Sequence, residues 1–252
     1  MTSYYESERA LAQYLWLHYG EDSPLLPAFL EKCRWALGFP KTCASWLAED
    51  VVRSPRRALD VGCAVGRAAF ELSRSCDEVL GIDISVSFIR TANRLREGNT
   101  LRYELPIEGD LSAELEARMP NEARPECVRF VVGDAMALDG LGEFDLVLAA
   151  NLLCRLPEPK RFLARLSSIV RPGGRLLLTT PASWLEQYTP RENWIGGFLG
   201  AHGPVQTFEG VCSALHADFE LVKRGDLPLL IPEHARKYEL IFAEATLWSR
   251  RA

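Results

Sequence analysis

An apolar run that breaks into a glycine turn, then a second run ending on a carboxylate, is the part of this chain best suited to do chemistry. The first is Ala58-Leu59-Asp60-Val61-Gly62-Cys63-Ala64-Val65-Gly66-Arg67, and the second is Val79-Leu80-Gly81-Ile82-Asp83-Ile84-Ser85. In a β-α-β unit the first turn cradles a nucleotide-like ligand, and a carboxylate about 20 residues on grips ribose hydroxyls. Two further runs end the same way: Val131-Val132-Gly133-Asp134-Ala135 and Phe144-Asp145-Leu146-Val147-Leu148-Ala149-Ala150-Asn151. Ligands of open parallel sheets bind outside the carboxyl ends of the strands, so all four polar termini belong to one edge. Ala64 stands between Gly62 and Gly66. The turn therefore departs from G-x-G-x-x-G, the form that lets backbone approach a pyrophosphate.

The form D-x-G-C-x-x-G instead resembles motif I of class I S-adenosylmethionine (SAM) methyltransferases, whose ligand carries no phosphate. That resemblance implies roles for the strand ends. Asp60 and the Gly62–Gly66 backbone, with Cys63 as a small apolar filler, would meet the amino acid end of SAM. Asp83, with Ile84 beside it, would accept the ribose hydroxyls. Asp134 and Ala135 would meet the adenine edge. Asn151 would sit where the methyl is transferred. Asp145, at the opposite end of its strand, reads as structural.

The elements that must position these groups alternate. Strands are expected at Arg57–Val61, Glu78–Ile82, Val128–Val132, Asp145–Ala149 and Arg175–Thr179, with helices at Arg67–Ser75, Ser85–Arg96 and Pro159–Val170. Pro172-Gly173-Gly174 stops the last helix. Such alternation predicts an α/β fold with a mostly parallel sheet and helices on both faces. A helix Phe208–Leu215, a strand near Phe219–Arg224 and a final run Leu240–Trp248 complete seven strands, the last antiparallel. Tyr5–Tyr19 reads as an amphipathic helix closed by Gly20, followed by helical pieces at Ala28–Leu37 and Thr42–Val52. One domain over 1–252 is expected, with a helical cap over 1–55 and a core from 56 onward. Asn99–Pro125 is an insertion, read as surface elaboration with one strand, Leu101–Leu105, and an acidic stretch of helical potential. The aromatic segment Pro181–Pro204 leaves the ligand edge and should lie over it.

Composition narrows the partners. The chain has 252 residues, 48% of them hydrophobic, enough for one substantial core. Its net charge of −5 and lack of long basic blocks argue against nucleic acid. No run is long enough to span a membrane and no export signal is seen, which predicts a cytoplasmic protein. Seven cysteines without a C-x-x-C pair read as free thiols. His18, His202, His216 and His234 lack metal-ligand spacing, so no metal is expected.

Longer strings carry a closer resemblance. Tyr4-Tyr5-Glu6-Ser7, His18-Tyr19-Gly20, Ala150-Asn151-Leu152-Leu153-Cys154-Arg155-Leu156-Pro157, Trp184-Leu185-Glu186-Gln187-Tyr188-Thr189-Pro190 and Glu233-His234-Ala235-Arg236-Lys237-Tyr238 resemble the methyltransferase domain fused behind 5-histidylcysteine sulfoxide synthase in ovothiol biosynthesis, and its stand-alone relatives. The resemblance runs from the first tyrosines to Trp248. It implies N-methylation of 5-thiohistidine (4-mercaptohistidine), the last step of that pathway, with SAM consumed and S-adenosylhomocysteine (SAH) released. It also implies a functional link to a separate sulfoxide synthase, since no such domain precedes Met1. For the acceptor, Asn151 is the first candidate to present the ring. Tyr5 and His18 are further catalytic candidates, His18 as a base, a thiolate partner or simply a core residue. Tyr19, Arg67, Arg155, Trp184 and Tyr188 are candidate substrate contacts, with His234 and Lys237 at the rim. The competing readings are transfer to another small amine, thiol or carboxylate, or a non-catalytic SAM-binding partner subunit.

Overall fold

A computed structural model describes residues 4–22, 28–49, 56–201 and 203–252. Helix α1 (Glu8–Tyr19) starts where the Ser7 hydroxyl accepts the Ala10 amide, and it ends at Gly20. Its inward stripe of Ala12, Leu15, Trp16 and Tyr19 is buried. A 3-10 stretch, Ala28–Ala36, leads to α2 (Phe39–Ala48). Helix α2 starts earlier than expected because Pro40 suits a first helical turn. The expected helix end at 50–52 lies outside the described residues.

The core follows as strands and helices in turn: β1 (Arg57–Val61), α3 (Arg67–Leu72), β2 (Glu78–Asp83) and α4 (Val86–Arg96). Then come the insertion strands β3 (Leu101–Glu108) and β4 (Leu111–Ala117), β5 (Val128–Val132), β6 (Phe144–Ala150), α5 (Pro159–Arg165) and β7 (Val170–Thr180). The chain closes with short strands β8 (Phe198–Gly200) and β9 (Gly203–Val205), helix α6 (Thr207–Leu215), and the long pair β10 (Phe219–His234) and β11 (Lys237–Arg250). One seven-stranded sheet has the order β10-β11-β7-β6-β1-β2-β5. Its pairs from β7 to β5 are parallel, and β11 joins β7 antiparallel. The expected fold class is met. Asp145 is structural, as read: its Oδ2 accepts the amides of Arg56 and Arg57 at 3.0 and 2.8 Å, and its other oxygen pairs with Arg171.

Two readings change. The acidic half of the insertion is a strand, not a helix. Leu111–Ala117 has helix-forming residues, but it pairs across a Gly109 turn with β3, and every second side chain there faces inward. Leu101, Tyr103, Leu105, Leu115 and Ala117 are buried in the same core as α1. The Ala235 amide donates to the Pro106 carbonyl at 3.0 Å, tying the insertion to β10. The insertion is thus a brace behind α1 rather than a surface elaboration. Strands β10 and β11 also run far past their expected ends. Beyond the Glu244–Thr180 pair they leave the sheet as a two-stranded ribbon that brings Leu229 and Ile231 to the ligand edge.

Candidate functional site

The β1 turn is set by close packing. Gly62 and Gly66 adopt φ of 76° and 88°, and Ala64 between them adopts 47°. A Cβ at Gly66 would lie 2.5 Å from the Phe130 ring, so no larger residue fits there. The turn is pinned from β2: Asp83 Oδ2 accepts the Ala64 amide and Oδ1 accepts the Ser85 amide, each at 2.9 Å. Each oxygen keeps a further lone pair for a ligand.

These strand ends open on a cavity of about 380 Å³ lined by residues from every part of the edge. One end holds Asp60, Gly62, Cys63, Ala64, Asp83, Ile84, Asp134, Ala135 and Asn151. Ile84 is 50% exposed there, an apolar side chain left open at the rim. Asp134 Oδ1 caps the Met136 amide at 2.8 Å. Gly66 is not in the lining; it sits one layer behind, under Phe130. Asp60 is 2% exposed, and its Oδ2 has no hydrogen-bond partner. Burial, followed by the nearby Asp83 charge, pushes its carboxyl up to about 7, against the pull of the Ala69 amide. Burial raises Asp83 also, against the amides of Ser85, Ala64 and Ile84 that hold it down.

The other end is aromatic and built by the N-terminal segment. Tyr5, Tyr14, His18, Phe88 and Tyr188 line it, with Arg155 between them. Tyr14 lies 4.8 Å from Phe88 between ring centres, and Tyr5 lies 6.5 Å from Tyr188. The segment is tied to α4. Glu6 accepts the Val86 and Ser87 amides at 2.8 and 3.2 Å, and Ser85 donates to the Tyr5 carbonyl at 3.2 Å. Arg155 donates to the carbonyls of Cys154 and Ser183, each at 3.1 Å, and lies 4.7 Å over the Tyr188 ring. The Tyr5 hydroxyl meets it too; burial lifts that phenol to about 12 despite the guanidinium. No carboxylate among the described residues pairs with Arg155. Asn151, at φ 52°, closes the cavity where β6 ends.

Three expected substrate contacts stand elsewhere, for reasons of hydrogen bonding. The Tyr19 hydroxyl donates to the Val65 carbonyl at 2.8 Å, tacking α1 onto the glycine turn. Arg67 spends its guanidinium on Glu71, the His18 carbonyl and Glu21. Trp184 donates to the Thr207 hydroxyl at 2.9 Å and stacks on Trp194. None of the three lines the cavity. His234 accepts the Arg236 amide, and Lys237 pairs with Glu233, both away from the lining.

His18 does line the cavity, but its Nδ1 accepts the Arg67 amide at 3.3 Å, so the neutral ring carries its proton on Nε2. Burial, then the Arg67 charge, drops it to about 3. Such a ring takes up almost no proton at neutral pH. Sequence reasoning missed Tyr14, Phe88, Phe39, Leu229 and Ile231. Tyr14 falls on the apolar spacing of α1 and reads as core. The others come from elements whose approach to this edge depends on tertiary packing.

Residues 59–178 match the methyltransferase domain family. Ubiquinone biosynthesis O-methyltransferases are similar in sequence. That of Ralstonia nicotianae is 27% identical over 138 residues, 54% of this chain and 47% of that one. That of Methylococcus capsulatus is 28% identical over 135 residues, 53% and 46% of the two chains. The chain thus spans about half the length of these relatives. Among solved structures, the magnesium protoporphyrin IX methyltransferase of Synechocystis with bound SAH superposes with a TM-score of 0.60 at 17% identity, over 100% of this chain and 98% of that one. The N-methyltransferase NodS of Bradyrhizobium japonicum, in complex with SAH, gives 0.55 at 14% identity, over 96% and 99%. The sheet order and these superpositions give the chain the fold of class I methyltransferases, and its residues 59–178 are similar to the methyltransferase domain.

Proposed function

We propose that the protein transfers a methyl group from SAM to a ring nitrogen of 5-thiohistidine. The residues present fit the cofactor. The orphaned Asp60 oxygen is a buried acceptor facing the cavity, suited to an ammonium group. Asp83 keeps lone pairs for two hydroxyls, and the open Ile84 and Ala135 offer apolar surface to a flat base. Asp134 keeps one carboxylate oxygen for an exocyclic amine. Bound SAM supplies an electrophilic methyl on a sulfonium.

One observation favours nitrogen over oxygen as the acceptor: among the described residues the acceptor end has no competent base. A phenol or alcohol must lose a proton before it attacks, and phenols have pKa values near 10. His18 is held near 3, the Tyr5 phenol at about 12, and the cavity's carboxylates all stand at the cofactor end. A neutral imidazole nitrogen needs no base, because its lone pair is free near pH 7. As that lone pair forms the new N–C bond, the S–C electron pair stays on the departing sulfur. The positive charge passes to the ring, where an adjacent thiolate offsets it.

The residues supply alignment, which contributes about 7–11 kcal/mol in well-oriented reactions. Arg155, with no carboxylate partner among the described residues, pairs the amino acid carboxylate. Tyr5, Tyr14 and Tyr188 pack the flat ring and exclude water. Asn151 addresses the ring beside the transferring methyl, and His18 holds α1 against α3. The ovothiol-type strings around Asn151, Arg155 and Tyr188 support the thiohistidine substrate, because those strings supply the lining.

Two measurements test this. Incubation with SAM and a panel of 5-thiohistidine, histidine and a catechol should yield N-methylated thiohistidine. Histidine should react poorly, since groups meant for sulfur stay unpaired. Preferred turnover of the catechol would replace this reading with O-methylation. For the cofactor, Asp83→Asn should weaken SAM binding roughly 10- to 150-fold, the loss of about 1.5–3 kcal/mol from a charged hydrogen bond. Asparagine keeps only one of the two amide acceptors and turns its NH₂ toward the other amide, so the calorimetry is read beside a thermal melt that shows the variant folded. Unchanged affinity would place the ribose elsewhere.

A further inference from the structure

We infer that Thr179, a residue with no surface of its own, locks the Asn151 carboxamide so that it offers the acceptor only N–H donors, and that this lock decides which atom is methylated. Thr179 lies in β7, is 0% exposed and pairs with Ala150 across the sheet. Its hydroxyl accepts the Asn151 backbone amide at 3.0 Å and donates to Asn151 Oδ1 at 2.9 Å. A hydroxyl has one proton, and a buried one must place it on an acceptor. Turning the amide over would set its NH₂ against the hydroxyl and orphan that proton. The carboxamide is therefore held with Oδ1 inward and Nδ2 toward the cavity. The left-handed backbone at Asn151 is tolerated by asparagine better than by most residues, so the turn and the lock agree on one side chain.

A donor-only group has a definite chemical consequence. It cannot steer an attacking nitrogen, because bonding to that lone pair would block the attack. It suits an anionic or lone-pair-rich atom beside the nucleophile. On the thiohistidine reading, which this inference deepens, that atom is the thiolate sulfur. The N–H groups of Asn151 hold the sulfur and damp its nucleophilicity, leaving the neighbouring ring nitrogen in line with the methyl. Thr179 touches no ligand; it is a positioning residue for regiochemistry.

The test compares wild type, Thr179→Val and Thr179→Ser, with 5-thiohistidine and SAM, reading the ratio of S-methyl to N-methyl product. Valine keeps the shape and strand preference of threonine, and the Asn151 backbone amide keeps the Thr179 carbonyl at 2.9 Å. The S-methyl fraction should rise about tenfold in Thr179→Val, the scale of one lost hydrogen bond, and return to the wild-type value in Thr179→Ser. An unchanged ratio in a folded Thr179→Val would overturn the inference. Should wild type leave 5-thiohistidine unmethylated, the substrate reading fails instead. The lock is then read by NMR from the Asn151 side-chain amide resonances: Thr179→Val should shift them, and unmoved resonances would overturn the lock as well.

Discussion

Replacing Arg155 by glutamine is expected to lower kcat/KM for 5-thiohistidine about 30- to 300-fold while SAM affinity stays within about twofold. The magnitude is the lower part of the cost of removing one partner from a desolvated charge pair, about 2–5 kcal/mol, because Arg155 is only half-buried. The reason is its unusual position. Two of the contacts that hold it are backbone carbonyls, its face covers Tyr188, and no described carboxylate neutralises it. A guanidinium so placed lacks an anion, and an amino acid substrate brings one. Lysine at this position should restore part of the loss, since it keeps the charge without the planar fork. Steady-state kinetics beside calorimetry with SAM checks this. An equal loss of SAM affinity would assign Arg155 to the cofactor carboxylate instead.

The second large effect is in pH. With its carboxyl raised to about 7, Asp60 is half ionised at pH 7 and about 1% ionised at pH 5. A cationic ammonium pairs with the ionised form only, so SAM affinity should fall about 50-fold between those values. Asp83, raised too, adds to the same trend, whereas His18 at about 3 titrates below the window. Asp60→Asn should bind SAM weakly throughout and with a flatter profile. The free protein responds in the opposite sense. A carboxyl whose folded pKa exceeds its unfolded value favours the fold at low pH, and that contribution is lost as pH rises through about 7. Asp60→Asn should therefore raise Tm of the SAM-free protein at pH 8, with the gain shrinking toward pH 4. A SAM affinity independent of pH in wild type would contradict the role given to Asp60.

The ligand edge was legible because chemistry and chain direction coincide there. Asp60 and Asp83 lie in the last residues of apolar strands, Asp134 and Asn151 lie just beyond theirs, and parallel strands deliver their ends to one side. Local pattern failed where tertiary contacts decide. Leu111–Ala117 has the composition of a helix, yet its alternate residues find a buried face against α1, and the strand wins. The ribbon of β10 and β11 could not be read from spacing, since Pro228 and Pro232 look like strand breakers. At the acceptor end, residue type alone misled. Tyr19, Arg67 and Trp184 are the expected sort of substrate contact, but each has its polar atoms engaged within the fold. Nor does any motif mark Thr179, whose importance comes from a strand pairing that sets it beside Asn151. The expected helical cap is part of the main core, where α1 buries Leu15, Trp16 and Tyr19.

On the proposed function, a methyl group passes from SAM to a ring nitrogen of 5-thiohistidine. Incubating the protein with SAM labelled with ¹³C at the methyl, and reading the product by ¹³C-edited proton NMR, tests it most directly. The expected product carries one labelled methyl coupled to ring carbons through nitrogen, formed with an equal amount of SAH. A methyl attached to sulfur, or label transferred to the catechol in preference to thiohistidine, would contradict it.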